Sequence, residues 1–229
     1  MTLTSDSKDN LFTHEQVLAA RYAELQNKGL KLDLTRGKPS PEQLTLADSL
    51  DGSLNSDYIS PDGTDVRNYG GLDGLPAARQ LGAALLGVRD TEVIAGGNAS
   101  LTLMYQYLLN AWQWGVLGSE TAWHREQGRL KFLCVVPGYD RHFTITEALG
   151  FELINVQMLE DGPDMAEVES LVAEDPLIKG IWCVPKYQNP TGHTFSDATI
   201  QRMARLGIVA GPNFRIMCDN AYAVHDLYD

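Results

Sequence analysis

The feature that most constrains how this chain can fold is an alternation. Past Gly87, short apolar runs of strand length, TEVIA (91–95), KFLCVV (131–136), FELINVQ (151–157), KGIWCV (179–184) and FRIMCD (214–219), are separated by segments of helical periodicity near 99–114, 142–149, 164–174 and 196–206. Apolar strands alternating with helices predict an α/β fold, a mostly parallel mixed sheet with helices on both faces. Ser196 stands where it can cap the last of those helices. Upstream, a run of Ala, Leu and Arg opened by Pro76 and stopped by Gly87 predicts another helix. A first helix is predicted over about 14–28, because Thr13 and Gln16 have capping-box spacing and Val17, Leu18, Tyr22 and Leu25 recur at helical intervals. Residues 30–65 are rich in Pro, Ser, Asp and Gly without periodicity and read as an arm or loop region. The expected organisation is an N-terminal helix and arm over 1–65, then the first part of an α/β domain over 66–229.

Charge narrows the partners. The 229 residues carry 18 Lys plus Arg against 30 Asp plus Glu, a net charge of −12 with no basic block to relieve it. Such a field disfavours nucleic acid and anionic membrane surfaces. The opening MTLTSDSKDN has acids where a signal peptide has bases and an apolar stretch, and no apolar run approaches the roughly 20 residues needed to span a bilayer. A cytoplasmic location is expected. The three cysteines, Cys134, Cys183 and Cys218, are odd in number, far apart and flanked by apolar residues. They read as reduced core thiols rather than as metal ligands or a disulfide framework.

Four of the five runs lead directly into segments dense in polar or special-backbone residues: GGNAS (96–100), PGYDRHF (137–143), PKYQNPTG (185–192) and DNAY (219–222). In an open parallel sheet the carboxyl ends of the strands share one rim, and ligands bind in the crevice there. The residues in these loops allow a ligand reading and a plain one. The turn at Gly96–Ser100 could aim unpaired helix-start N–H groups at a phosphate, or could simply be tight; it has neither the P-loop Gly-Lys-Ser/Thr nor dinucleotide GxGxxG spacing. Asp219, if buried, needs a cationic or strongly donating partner; otherwise it caps the turn that follows. Asn189 could donate to a ligand oxygen or form an Asx-turn. Tyr139 could lie on a flat ligand or be a half-buried aromatic at a sheet edge.

Taken in order, YGGLDGL (69–75), GGNAS, PGY, NPTG and, about thirty residues later, DNAY resemble the fold type I pyridoxal 5′-phosphate enzymes, and within them the class I/II aminotransferases. The segment TRGKPSP (35–41) resembles a bacterial aspartate aminotransferase-like subgroup. The resemblance implies the large domain of that transferase fold. It implies that Gly97, Asn98, Ala99 and Ser100 hold the cofactor phosphate and that Tyr139 stacks on the pyridine ring. Asn189 and Tyr222 would donate to the ring's phenolate oxygen, and Asp219 would pair with the ring nitrogen. Gly37 would lie near the substrate carboxylate, and Tyr69 would reach the phosphate of the neighbouring subunit in a homodimer. The implied reaction moves an amino group between an amino acid, with aspartate favoured, and a 2-oxo acid, with 2-oxoglutarate favoured.

One requirement of that chemistry matches nothing in the chain. The family uses a lysine that bonds the cofactor aldehyde and shuttles a proton, and it is expected beyond Asp229. The seven lysines are Lys8, Lys28, Lys31, Lys38, Lys131, Lys179 and Lys186, none after Tyr222; Lys186, nearest the loops, reads as a solvated loop residue. The expectation is therefore the front part of a longer enzyme, incomplete as a catalyst. Two other readings stay open. One is a non-catalytic module for cofactor binding or assembly; the other is a nucleotide-binding α/β protein. The latter would want a ribose-binding acid about 20 residues past the glycines at a strand end, and Glu120 lies in a loop.

Overall fold

The computed structural model describes residues 7–32, 37–222 and 224–226. The chain divides into two units, Met1–Tyr58 and Ile59–Asp229.

In the first unit, helix α1 spans Lys8–Asn27 and begins at Ser7, whose hydroxyl accepts from the Asn10 N–H at 3.3 Å. The start expected at Thr13 is therefore six residues too late. A serine followed by Asp9 supplies both a cap and a first-turn acid upstream, and Thr13 sits inside the helix with its hydroxyl donating to the Asp9 carbonyl. None of α1's residues is buried. The segment read as structureless arm contains a helical stretch, α2 over Pro41–Leu44 continuing as a 3-10 turn over Thr45–Leu50. It is nucleated by a capping box: Ser40 accepts from the Gln43 N–H, and the Gln43 side chain accepts from the Ser40 N–H at 2.8 Å. The polar motif TRGKPSP falls partly on residues 33–36, outside the described residues.

The second unit holds the sheet. Helix α3 (Pro76–Leu86) ends at Gly87 in the left-handed region, as expected. The run 91–95 does not form a strand. Asp90–Glu92 make a 3-10 turn, Ile94 is exposed, and no strand among the described residues lies alongside to complete a ladder. Helix α4 follows over Ser100–Gln113, then β1 (Lys131–Val136), α5 (Asp140–Ala148), β2 (Glu152–Leu159), β3 (Gly162–Pro163), α6 (Met165–Glu174), β4 (Ile178–Cys183), α7 (Asp197–Val209) and β5 (Arg215–Cys218). Ser196 caps α7 by accepting from the Thr199 N–H.

The sheet order is β3-β2-β1-β4-β5, parallel throughout except for β3, which runs antiparallel to β2. Alternation along the strands sorts the core into two layers. Leu133, Val135, Ile181 and Cys183 point to the side covered by Val168 and Val172 of α6 and Met203 and Leu206 of α7. Phe132 and Trp182 point to the other, against Leu108 and Ala111 of α4, Trp123 and Phe151. Gly180 is required where the second layer is tightest, since a Cβ there would lie 2.4 Å from Phe132 Cζ. Of the three cysteines expected in the core, Cys134 and Cys183 are buried but Cys218 is exposed, because β5 is the outermost strand of the described sheet. No helix among the described residues is long and apolar enough to cross a membrane.

Candidate functional site

Since β1, β4 and β5 are parallel, the segments that follow them emerge on one rim. Asp219 is the first residue past β5, and its N–H still donates to the Cys183 carbonyl at 2.9 Å. Its carboxylate is thereby fixed at the end of the ladder, with only 13% of the side chain exposed. Oδ2 bonds His142 Nε2 at 3.0 Å. His142 is buried; its ring stacks on Trp182 at 4.6 Å and 13° and meets Tyr139 edge-on at 5.1 Å. A carboxylate so far out of water needs a donor, and the histidine is that donor. With Oδ2 occupied, Oδ1 is the acceptor a ligand would meet.

The sequence places His142 there through a short chain of causes. Gly138 admits the turn after β1, because a Cβ would come within 2.2 Å of the Val135 carbonyl oxygen. Tyr139 then ends the turn at the N-cap of α5, and three residues later the helical repeat returns His142 to the same face. Sequence reasoning missed this histidine; its place three residues after Tyr139 in PGYDRHF sets only which helix face it shares. It also missed Trp182, which supplies the floor of the stack, and Gln188.

Gln188 ties two rim loops together. Its side-chain amide donates to the Pro137 carbonyl at 3.2 Å, its N–H donates to the His193 carbonyl, and its own carbonyl accepts from the Gly192 N–H. Asn189, half-buried, is thus presented on a braced turn rather than a loose one, and no hydrogen bond engages its side chain among the described residues. The Gln188 side-chain oxygen and the Trp182 indole N–H are buried without a partner among the described residues, so polar capacity is held in reserve on these two side chains. Tyr222, half-buried, lies in the turn after Asp219 with its ring 6.5 Å from that of His225. Lys186, expected as a solvated loop residue, lies in a loop, is partly exposed and pairs with the exposed Asp226.

The remaining predicted residues lie elsewhere. Gly97, Asn98, Ala99 and Ser100 form the exposed start of α4, where Ala99 is the N-cap and no side chain caps the first turn. Leu101 and Thr102 line an open groove with Arg141 and Thr144, which sets the first turns of α4 and α5 side by side. Because 91–95 is not a strand, three strand ends rather than four feed the rim, and this turn arrives from an irregular segment. Tyr69 is almost fully exposed in an open cleft of about 580 Å³ shared with Asp65, Asn68 and Arg79. Gly37 belongs to the first unit and is exposed.

Comparison with known proteins gives this arrangement a family. The model of the aspartate amino-transferase family matches residues 5–229. A curated protein of Mycolicibacterium smegmatis is 50% identical over 232 residues, covering 100% of this chain and 54% of that protein. The aspartate aminotransferase of Corynebacterium glutamicum is 49% identical over 217 residues, covering 94% of this chain and 49% of its own length. The solved structure of an aspartate transaminase from Corynebacterium glutamicum superposes with a TM-score of 0.83 at 45% identity, covering 96% of this chain and 51% of that one. The chain spans about half the length of the curated relatives it matches. With a match that runs through nearly every residue and a fold that agrees, the chain belongs to the aspartate amino-transferase family.

Proposed function

We propose that this chain forms the ring-binding side of a pyridoxal 5′-phosphate site in an aminotransferase that moves an amino group between an amino acid and a 2-oxo acid. Aspartate is the favoured donor and 2-oxoglutarate the favoured acceptor, a reading supported by relatives named as aspartate aminotransferase and aspartate transaminase. The observation that carries the proposal is the Asp219–His142 bond at the strand-end rim. A shielded carboxylate with one oxygen held by a buried imidazole and the other left for a ligand is the group that a pyridinium N–H requires.

When bound, the cofactor supplies an aldehyde that takes up the amino group and a ring that accepts the electron pair released at the substrate Cα. The rest falls to the protein. Asp219 accepts from the ring N–H and keeps that nitrogen protonated, while His142 fixes the carboxylate's angle. Tyr139 lies over the ring; Asn189 and Tyr222 donate to its phenolate oxygen. The backbone at Gly97, Asn98, Ala99 and Ser100 donates to the phosphate at a helix start that has no side-chain cap of its own. Gly37 lies near the substrate carboxylate, and Tyr69 reaches the neighbouring subunit's phosphate in a cytoplasmic homodimer.

A second reading rests on the lysines. Lys28, Lys131, Lys179 and Lys186 are ion-paired with Glu24, Asp175, Glu126 and Asp226, which suits a module that holds the cofactor without a covalent bond. Titration of the chain with pyridoxal phosphate, with NAD as the comparison ligand, tests the shared claim. Saturable quenching of tryptophan fluorescence by pyridoxal phosphate alone is expected, weakened about tenfold or more by Asp219→Asn, the loss of one charge-assisted bond. Equal response to NAD, or an unchanged Asp219→Asn titration, contradicts it. Borohydride then separates the readings: release from this chain on denaturation, with a chromophore retained by a longer chain that continues past Asp229, supports the aminotransferase, and release from both supports the module.

A further inference from the structure

Two of the groups at the rim would meet different parts of one rigid ring, Asp219 its nitrogen and Asn189 its phenolate oxygen. They stand on different segments, Asp219 just past β5 and Asn189 in the loop between β4 and α7. A ring of fixed shape is held well only if those segments keep a fixed separation. The run Pro137–His142 supplies a common reference for both. At one end of it His142 bonds the Asp219 carboxylate at 3.0 Å; at the other the Pro137 carbonyl accepts from the Gln188 side-chain amide at 3.2 Å.

The β4–α7 loop is braced within itself. Its legs are joined by the Phe195 N–H donating to the Pro185 carbonyl at 2.9 Å, and Phe195 is buried in the core. Nearer the tip, the Gln188 N–H donates to the His193 carbonyl at 2.8 Å and the Gly192 N–H to the Gln188 carbonyl at 2.6 Å. These main-chain bonds fix the shape of the loop but not its tilt over the rim. The Gln188 side chain supplies that constraint. It is buried, it immediately precedes Asn189, and the direction of its bond is settled because a carbonyl can only accept. β1 and β4 are neighbours inside the sheet, so the tie involves no outer edge.

We propose that Gln188 is a positioning residue of the ring site, holding Asn189 at the separation from Asp219 that the ring requires. The inference rests on the reading of the rim as a pyridoxal phosphate site and adds to it a residue that acts through Asn189. Gln188→Met keeps the length of the side chain and every main-chain bond of the loop, and deletes the donor to Pro137. The loop keeps its shape and loses its reference.

The test titrates the folded chain with pyridoxamine 5′-phosphate, which has no aldehyde to react with lysines, and follows tryptophan fluorescence. At saturation the absorbance maximum of the bound ligand is also read, since it reports hydrogen bonding at the phenolate rather than the amount bound. Asp219→Asn is run alongside as the marker of the ring site. Gln188→Met is expected to bind about fivefold or more weakly and to shift the absorbance maximum in the same sense as Asn189→Ala. Added to Asn189→Ala, it is expected to weaken binding by less than about twofold, because a residue that acts through Asn189 then has nothing left to position. If Gln188→Met does not fold, Gln188→Asn, whose amide is one methylene short of Pro137, goes through the same cycle. Binding that Asp219→Asn weakens but Gln188→Met leaves unchanged, or a Gln188→Met loss of equal size with and without Asn189, overturns the role of Gln188 and leaves the ring site standing. No binding to the unaltered chain, or an unchanged Asp219→Asn titration, overturns the ring site and this inference together.

Discussion

At the scale of single residues, the most exacting demands are set by buried charge. Lys179 is 2% exposed, and its ammonium is met by Glu126 at 2.8 Å and the Pro176 carbonyl at 2.7 Å. The Lys179 hydrogen bond holds the Glu126 carboxyl below its usual range. Glu126→Ala removes the carboxylate hydrogen-bonded to the Lys179 ammonium and leaves the buried cation with the Pro176 carbonyl as its remaining hydrogen-bond acceptor among the described residues. It is expected to cost about 3 kcal/mol, read as a lower urea midpoint at unchanged slope, whereas Glu126→Gln, which keeps an acceptor, is expected to cost less. His142 obeys the same rule, with the difference that its partner faces a rim. No residue-level rule distinguishes a histidine in the first turn of a helix as special; it becomes so when Trp182, forty residues on, lies beneath it, and such a stack exists only after the sheet has formed.

At the scale of elements, what could be read from sequence was what local chemistry decides. Ser196 before α7 and Gly87 after α3 mark helix ends by cap chemistry, and both mark real ends. The runs behind β1, β4 and β5 are strands because each finds a neighbour. The run 91–95 also carries β-branched residues, Thr91, Val93 and Ile94, but finds no neighbour among the described residues, and Asp90–Glu92 take a 3-10 turn instead. Composition cannot distinguish these cases, since a ladder is a property of two segments. The Ser40–Gln43 box was legible in principle but was hidden by the surrounding prolines.

One element junction responds to pH. Lys131, at the start of β1, donates to Asp175, just past α6, at 2.7 Å, and this bond holds the Asp175 carboxyl below its ordinary value of 3.8. A carboxyl lowered by folding adds stability that is present above its unfolded pKa and is lost as pH falls through the folded one. Asp175→Asn is therefore expected to lower stability at neutral pH and to flatten the decline below about pH 4, as seen in thermal melts across an acid series. A variant that keeps the full acid decline contradicts this role.

At the scale of the whole molecule, exposed apolar surface is the dominant fact. Tyr69 and Leu72 are 98% and 99% exposed, far beyond what a loop needs for its own stability, and contiguous exposed apolar surface marks interaction sites. The homodimer proposed above would use this loop. Sedimentation velocity is expected to show concentration-dependent association that Leu72→Asp, which removes no buried contact, shifts toward the monomer. A monomer at every concentration would contradict the proposed assembly. None of this was legible in the sequence beyond the motif itself, because exposure depends on what the rest of the chain leaves uncovered.

The central claim is that Asp219, steadied by His142, stands ready for a ring nitrogen at the end of a parallel sheet. It is tested most directly by the nitrogen-15 chemical shift of ring-labelled pyridoxal phosphate bound to the chain at neutral pH. The expected shift is that of a protonated ring nitrogen, moving to the unprotonated value when Asp219→Asn removes the carboxylate. An unprotonated shift in the unaltered chain, or a protonated one that survives Asp219→Asn, would contradict the account.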